Sequence, residues 1–147
     1  MEVQITSRRR IPGLRSQKIK QKARKVLRDL GLRDVELSIL LTDDAAISEL
    51  NRRYLRKKGP TNVLAFPMRE NTLSEAPAML GDVVISVDTA AKESNQSGDP
   101  LEQTVSRLLI HGILHLLGYD HEKSRAEAKR MKKEEARLLE VILDGKH

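Results

Sequence analysis

The chain has 147 residues, the size of one ordinary domain, and a core of that size folds without a structural metal. It contains no cysteine, which excludes disulfide frameworks and thiolate metal sites. No apolar run approaches the ~20 residues of a membrane span, and no apolar core follows the basic N-terminus as in a signal peptide. We therefore expect a cytoplasmic protein with no membrane contact. The formal net charge of +6 is concentrated in residues 1–30, which hold ten basic and two acidic side chains.

The first part of the chain predicts two strands separated by a helix. Alternating apolar residues predict strands at residues 2–7 and 35–41. Between them, apolar residues recur at helical spacing as far as Leu30, and Gly31 ends the helix. The other face of this helix is basic, which suits a polyanion but equally fits an ordinary solvated surface.

A second helix and two further strands follow. Thr42 or Asp43 is expected to cap the helix, which ends at a basic cluster before Gly59. The residues predicted for its core face are Ile47, Leu50 and Tyr54. Residues 62–66 and 83–85 form short apolar strands on either side of a predicted loop, 67–79. No helix separates these two strands, so we expect them to be antiparallel.

Three helices complete the chain. Asp88 is expected to cap the first, and Asp99 with Pro100 to start the second. The second is apolar on nearly every side, which predicts a buried central helix. Ser124 and Glu127 form a capping box for the last helix. We predict one domain over residues 1–147, of α+β (α/β-like) class, with a four-stranded mixed sheet packed against helices and a metal site on the central helix.

Three of the four histidines lie within eleven residues at the end of the central helix. His111 and His115 are four residues apart, so both rings project from one helix face. Gly118 ends the helix, and His121 can turn back towards that face. Three imidazoles in a Leu/Ile-rich stretch would leave ring nitrogens unsatisfied without a metal, and three ligands leave one zinc position open for water. We expect no role for His147.

The same spacing is that of the metzincin peptidases, HExxHxxGxxH, with one difference. Those enzymes carry a glutamate general base directly after the first ligand. This chain has Gly112 there, and glycine cannot accept a proton. The metal ligands are retained and the proton acceptor of the peptidase is missing.

The histidine segment HGILHLLGYDH closely resembles the signature of the YbeY family of bacterial rRNA maturation factors and endoribonucleases. The segment Pro60 to Pro67 is similar to the PTxVLSFP segment of that family, with Ala65 in place of the usual serine. Leu80 to Ser86 is similar to the LGDIVIS strand of that family, and the pair Leu50-Asn51 also matches the family sequence. The matches follow the family order from about residue 43 to residue 121.

The resemblance implies one zinc ion per chain, held by His111, His115 and His121. It implies a single-strand-acting endoribonuclease in 16S rRNA 3′-end maturation and ribosome quality control, with rRNA and the small ribosomal subunit as partners and no DNA or membrane. The family usually has an arginine after the tyrosine matched to Tyr54. Leu55 occupies that position here, and we assign the catalytic role to Arg56, the next residue.

Cations of the N-terminal segment, the first helix and the second helix end are predicted to hold the RNA backbone. These residues are Arg8, Arg9, Arg10, Lys18, Lys22, Lys25, Arg52, Arg53, Lys57 and Lys58. Aromatic side chains are nearly absent, so phosphate contacts should dominate. Asp120, Glu122 and Asp82 are candidates for the general base. Two alternatives stay open: a metallopeptidase-like hydrolase, and a ribosome assembly factor whose zinc site is weakly catalytic.

Overall fold

The computed structural model describes residues 1–8, 10–68 and 78–143. Arg9, His147 and residues 69–77 of the predicted loop lie outside the described residues. No described helix is long and apolar enough to cross a membrane. The elements are β1 (Glu2–Ser7), α1 (Ser16–Asp29), β2 (Val35–Thr42), α2 (Asp44–Leu55), β3 (Val63–Pro67), β4 (Ala78–Ser86), α3 (Val87–Ser97), α4 (Leu101–Leu116) and α5 (Arg125–Leu143).

The four strands form one mixed sheet in the order β1-β2-β4-β3. β2 pairs in parallel with both β1 and β4. β3 pairs antiparallel with β4, with Val63 opposite Ile85. The predicted fold class and the antiparallel pair are confirmed. β4 extends from Ala78, well before the predicted 83–85, because it has a partner on each side for much of its length.

The helices cover the two sheet faces unequally. α1, α4 and α5 contribute to one large core against the sheet, whereas a small cluster around Ile47 packs α2 against the other face. α4 is the buried central helix, as predicted, with nine buried residues. α4 is apolar on nearly every side because it is surrounded: the sheet, α1, α3 and α5 all pack against it.

The capping side chains are only partly those predicted. Asp43 rather than Thr42 caps α2, and its carboxylate accepts the amide hydrogen of Ala46 at 2.8 Å. α3 is capped by Ser86, so the prediction of Asp88 was wrong. β4 runs into α3 without a loop, which puts its last residue at the capping position. Asp88 instead accepts the backbone N–H of Asp44 at 3.0 Å and holds α2 against α3.

Two other predictions were wrong at helix ends. Asp99 makes no capping bond, and α4 begins after Pro100. Tyr54 is 59% exposed instead of buried, because α2 covers only part of its sheet face and its last turn extends past the small core. α2 ends at Leu55, and Arg56 adopts a left-handed conformation with φ of 56°.

Gly112 is where α4 approaches the sheet most closely. A Cβ atom at this position would lie 2.6 Å from Cγ1 of Val83 and 3.4 Å from Cγ2 of Val63. Val83 is fully buried and β-branched, so its side chain has little freedom to move away. Glycine lowers helix propensity by about 1 kcal/mol relative to alanine, and the close packing explains why it is nevertheless present.

We expect Gly112→Ala to lower the free energy of unfolding by about 1–3 kcal/mol, the usual effect of overpacking, despite the better helix propensity of alanine. Val83→Ala should be the matched second variant, because it removes the clashing methyl groups. Chemical denaturation of both single variants and the double variant measures the coupling. If Gly112→Ala is as destabilising in the Val83→Ala background as in the wild type, the packing explanation is contradicted.

Candidate metal centre

His111 and His115 project from the last two turns of α4 onto the same side of the helix. Their ring centroids are 4.7 Å apart. The ring of His121 lies 5.3 Å from each of them by the same measure. Each histidine offers one nitrogen within 4.8 Å of the others, so one ion could contact all three.

The turn after α4 brings His121 back to the helix. Gly118 has φ of 100°, a conformation that residues with a side chain rarely adopt. The amide of Tyr119 donates to the carbonyl of Leu114 at 3.0 Å, which closes the helix end. Asp120 then accepts the amide hydrogen of Glu122 at 2.9 Å and fixes the loop on both sides of His121.

Glu135 of α5 contacts the first histidine. Nδ1 of His111 lies 2.6 Å from Oε2 of Glu135, and both side chains are about three-quarters buried. A carboxylate can only accept, so Nδ1 carries the hydrogen and Nε2 is the nitrogen left for a metal. Carboxylates beside metal-binding histidines fix the tautomer and the ring orientation in this way.

The protonation state of the middle histidine also suits a ligand. Burial lowers the pKa of His115 below its ordinary value, and the neighbouring rings of His111 and His121 lower it further. The ring is therefore neutral at pH 7, as metal binding requires. Among the residues that the structure describes, the group consists of three convergent imidazole nitrogens with no fourth side-chain ligand, which fits a zinc ion with an open coordination position.

The three histidines lie in a cleft of about 660 Å³. One wall is formed by β3, which is an edge strand of the sheet, and by the end of α2. The opposite wall is the loop of residues 118–122. Leu55 and Lys57 line the cleft, but Arg56 does not. Arg56 is the left-handed residue of the turn between these two.

The three general-base candidates lie on different sides of the sheet. Asp120 and Glu122 line the metal cleft. Asp82 lines a separate groove with Tyr54 and Phe66, on the face covered by α2. Successive strand residues point to opposite faces, and Val83 already faces α4. Asp82 therefore cannot reach the histidines.

The predicted RNA-binding cations are dispersed. Lys22 is mostly buried and its ammonium group contacts Glu102 at 3.4 Å and Ser106 at 3.2 Å, so it joins α1 to α4. Arg52 pairs with Glu49 on its own helix. Most of the others are exposed; these are Arg8, Arg10, Lys18, Arg53, Lys57 and Lys58, whereas Lys25 is half-buried.

Three residues near the centre were not predicted from the sequence. Glu135 follows Met131 by four residues on the buried side of α5, and an acid on a buried face is the signal that could have identified it. Asn51 and Asn62 line the cleft. The buried Asn51 donates to the carbonyl of Gly59 at 3.1 Å and holds the segment between α2 and β3 in place.

Comparisons with known proteins give a consistent result. The sequence profile of the family described as Endoribonuclease YbeY matches residues 4–142. An Endoribonuclease YbeY of Geobacter metallireducens is 43% identical over 97% of this chain and 96% of its own length. That of Aquifex aeolicus is 48% identical over 88% of this chain and 85% of its own.

A solved structure supports the fold. The solution structure of TM1509 from Thermotoga maritima superimposes with a TM-score of 0.65 at 24% identity, covering 95% of this chain and 88% of that one. The profile match spans nearly the whole chain, including the three histidines and the strands beside them. The chain belongs to the Endoribonuclease YbeY family.

Proposed function

We propose that this protein is a zinc-dependent endoribonuclease that acts on single-stranded RNA in 16S rRNA 3′-end maturation and ribosome quality control. The observation that carries the proposal is the convergence of His111, His115 and His121 in an open cleft. Membership of an endoribonuclease family supports RNA as the substrate. The proposed setting is the cytoplasm, with the small ribosomal subunit as partner, and residues 1–147 act as one domain.

A zinc ion held by the three histidines would supply a Lewis acid and a water of lowered pKa. The protein's own contribution is to position that ion and the RNA. Glu135 orients His111 through its Nδ1 hydrogen, and the capped turn at Asp120 holds His121 in place. Asp120 and Glu122 are the carboxylates of the cleft from which a proton acceptor could come.

Lys57 is the cation best placed to stabilise charge on the phosphate that reacts. Lys57 lines the cleft, whereas Arg56, the candidate suggested by the family resemblance, does not. Cations aimed at developing charge commonly account for a large part of catalysis. We therefore assign the stabilisation of phosphate charge to Lys57 and regard Arg56 as part of the turn that precedes Lys57.

The packing of Gly112 argues against the metallopeptidase alternative. A glutamate there would have to displace Val83 from the core before it could act as a base. The assembly-factor alternative keeps the same metal site and differs only in catalytic rate. Measurement of RNA cleavage by metal-loaded protein separates it from the leading proposal.

The first test combines metal analysis with RNA cleavage. We expect about one zinc per wild-type chain, and large losses of both metal and cleavage in His111→Ala and His115→Ala. Circular dichroism should survive chelation, because a core of this size does not depend on the ion. Full metal occupancy in both variants would refute the site, and zinc-loaded wild type that leaves RNA intact would favour the assembly factor.

Glu135→Gln should weaken zinc binding by about 10–100-fold, the usual effect of losing a carboxylate beside a ligand histidine. Glu134→Gln is the matched control, because Glu134 pairs with Arg137 and contacts no histidine. Competition with a chromophoric chelator gives both affinities. Equal affinities in the two variants would mean that Glu135 only joins α5 to α4.

Lys57→Ala should reduce kcat for RNA cleavage by about 10²-fold or more, in the range found for removal of one charge-stabilising group. Arg56→Ala removes the same charge from the neighbouring position and should have a much smaller effect. Zinc content should be unchanged in both. The reverse order of effects would return the role to Arg56.

A further inference from the structure

The outer side of α5 carries a row of cations that starts beside the metal centre. Arg125, Lys129 and Lys132 are spaced four and three residues apart, and Lys132 precedes Glu135 by three residues. Side chains at these spacings are neighbours on a helix surface, so the row leads to the residue that contacts His111. All three cations are exposed. We call them the α5 row.

The acids of α5 do not neutralise this row. Each acidic residue from the start of the helix to the metal centre has another partner. The pairs are Glu127–Arg130, Glu134–Arg137 and Glu135–His111. Within residues 1–8, 10–68 and 78–143, no cation of the α5 row has an ion-pair partner. Its positive charge is therefore available to a ligand in solution.

The position of the row relative to the cleft distinguishes it from the cations of α1. On one side of the histidines lie β3 and Lys57, and on the other lies α5, through Glu135. α1 packs beside β1, which is at the opposite edge of the sheet from β3. α1 also packs against α4 and α5, but Lys22 meets α4 at Glu102 and Ser106, in the first turns of that helix. His111 and His115 are on its last turns, and no residue of α1 lines the cleft.

We propose that the α5 row binds the phosphate backbone of single-stranded RNA and guides it into the metal cleft opposite Lys57. The inference rests on the proposed ribonuclease function and adds a binding surface to it. Neighbouring cations on a helix are about 5–6 Å apart at Cβ, and long flexible side chains can follow successive phosphates. The row contains no aromatic or apolar residue, so binding should be electrostatic and indifferent to base sequence.

The test compares two variants that lose the same charge. One replaces Arg125, Lys129 and Lys132 with Gln, and the other replaces Lys20, Arg24 and Arg28 of α1 with Gln. The α1 residues also lie four apart on one helix side and are not among the α1 cations predicted to hold RNA. The probe is a labelled 2′-O-methyl RNA oligonucleotide, and the dissociation constant of the zinc-loaded protein is measured over a salt series.

We expect the α5 variant to bind at least tenfold more weakly at low salt. The slope of log K against log salt should become shallower by about 2, since each lost phosphate contact on a single strand contributes about 0.7. The α1 variant should change the slope by less than half as much. Equal changes in the two variants would show a net-charge effect alone and overturn the proposal, as would an unchanged α5 variant.

Zinc content and melting temperature of each variant confirm that the metal centre and the fold are intact. If the triple variant does not fold, the charge reversal Lys132→Glu replaces it, with Arg24→Glu as its control. The slope should then become shallower by about 0.7, the contribution of one phosphate contact, in Lys132→Glu and by less than half as much in the control. Cleavage of unmodified RNA by wild type is measured in parallel. If wild type cleaves RNA but the α5 variant binds RNA as well as wild type does, only the proposed role of the α5 row is refuted. If the α5 variant binds RNA more weakly but wild type does not cleave RNA, the α5 row is supported and the proposed ribonuclease function is refuted.

Discussion

The close approach of α4 to the sheet at Gly112 is the constraint on which the rest of the site depends. With no side chain at this position, the helix comes into contact with Val83 and Val63. Val63 lies on β3, so the same contact brings the neighbouring His111 next to the outer strand that forms the wall of the cleft. A larger residue would push the helix and both of its histidines away from that wall.

The three histidines of the candidate metal centre come from one short segment, but α5 and the end of α2 also contribute side chains around them. Glu135 crosses from α5 to set the tautomer of His111, and the end of α2 brings Lys57 into the cleft. Asn51 keeps the segment after α2 in place from a buried position. Each of these contacts joins elements that are distant in sequence, so they depend on the completed core.

The positive charge of the chain is divided between surfaces that lie at different places relative to the histidine cleft. The cations near the N-terminus are the most concentrated in sequence, yet none of those that the structure describes lines the histidine cleft. One of them, Lys22, is committed to a partly buried contact with Glu102. Lys57, after α2, lines the histidine cleft, and the α5 row is on the helix that contacts His111. Charge density in the sequence is thus a poor guide to which cations line the histidine cleft.

The sequence by itself determined the order of elements, the mixed sheet and the grouping of the histidines. These features depend on local periodicity and on spacings within one helix and its turn, such as that from His111 to His121, which short-range sterics control. The motif that resembles the YbeY family lies in the same segment.

Only the tertiary structure decided which other residues share the cleft. Glu135 is 24 residues from its partner His111, and no local pattern relates two such positions. The chain turns left-handed at Arg56, and Lys57 rather than Arg56 lines the cleft. Strand alternation places Asp82 on the other face of the sheet. Exposure of Tyr54 likewise follows from how little of the sheet α2 covers. Each outcome depends on long-range packing, which fixes the relative positions of elements that the sequence pattern describes only one at a time.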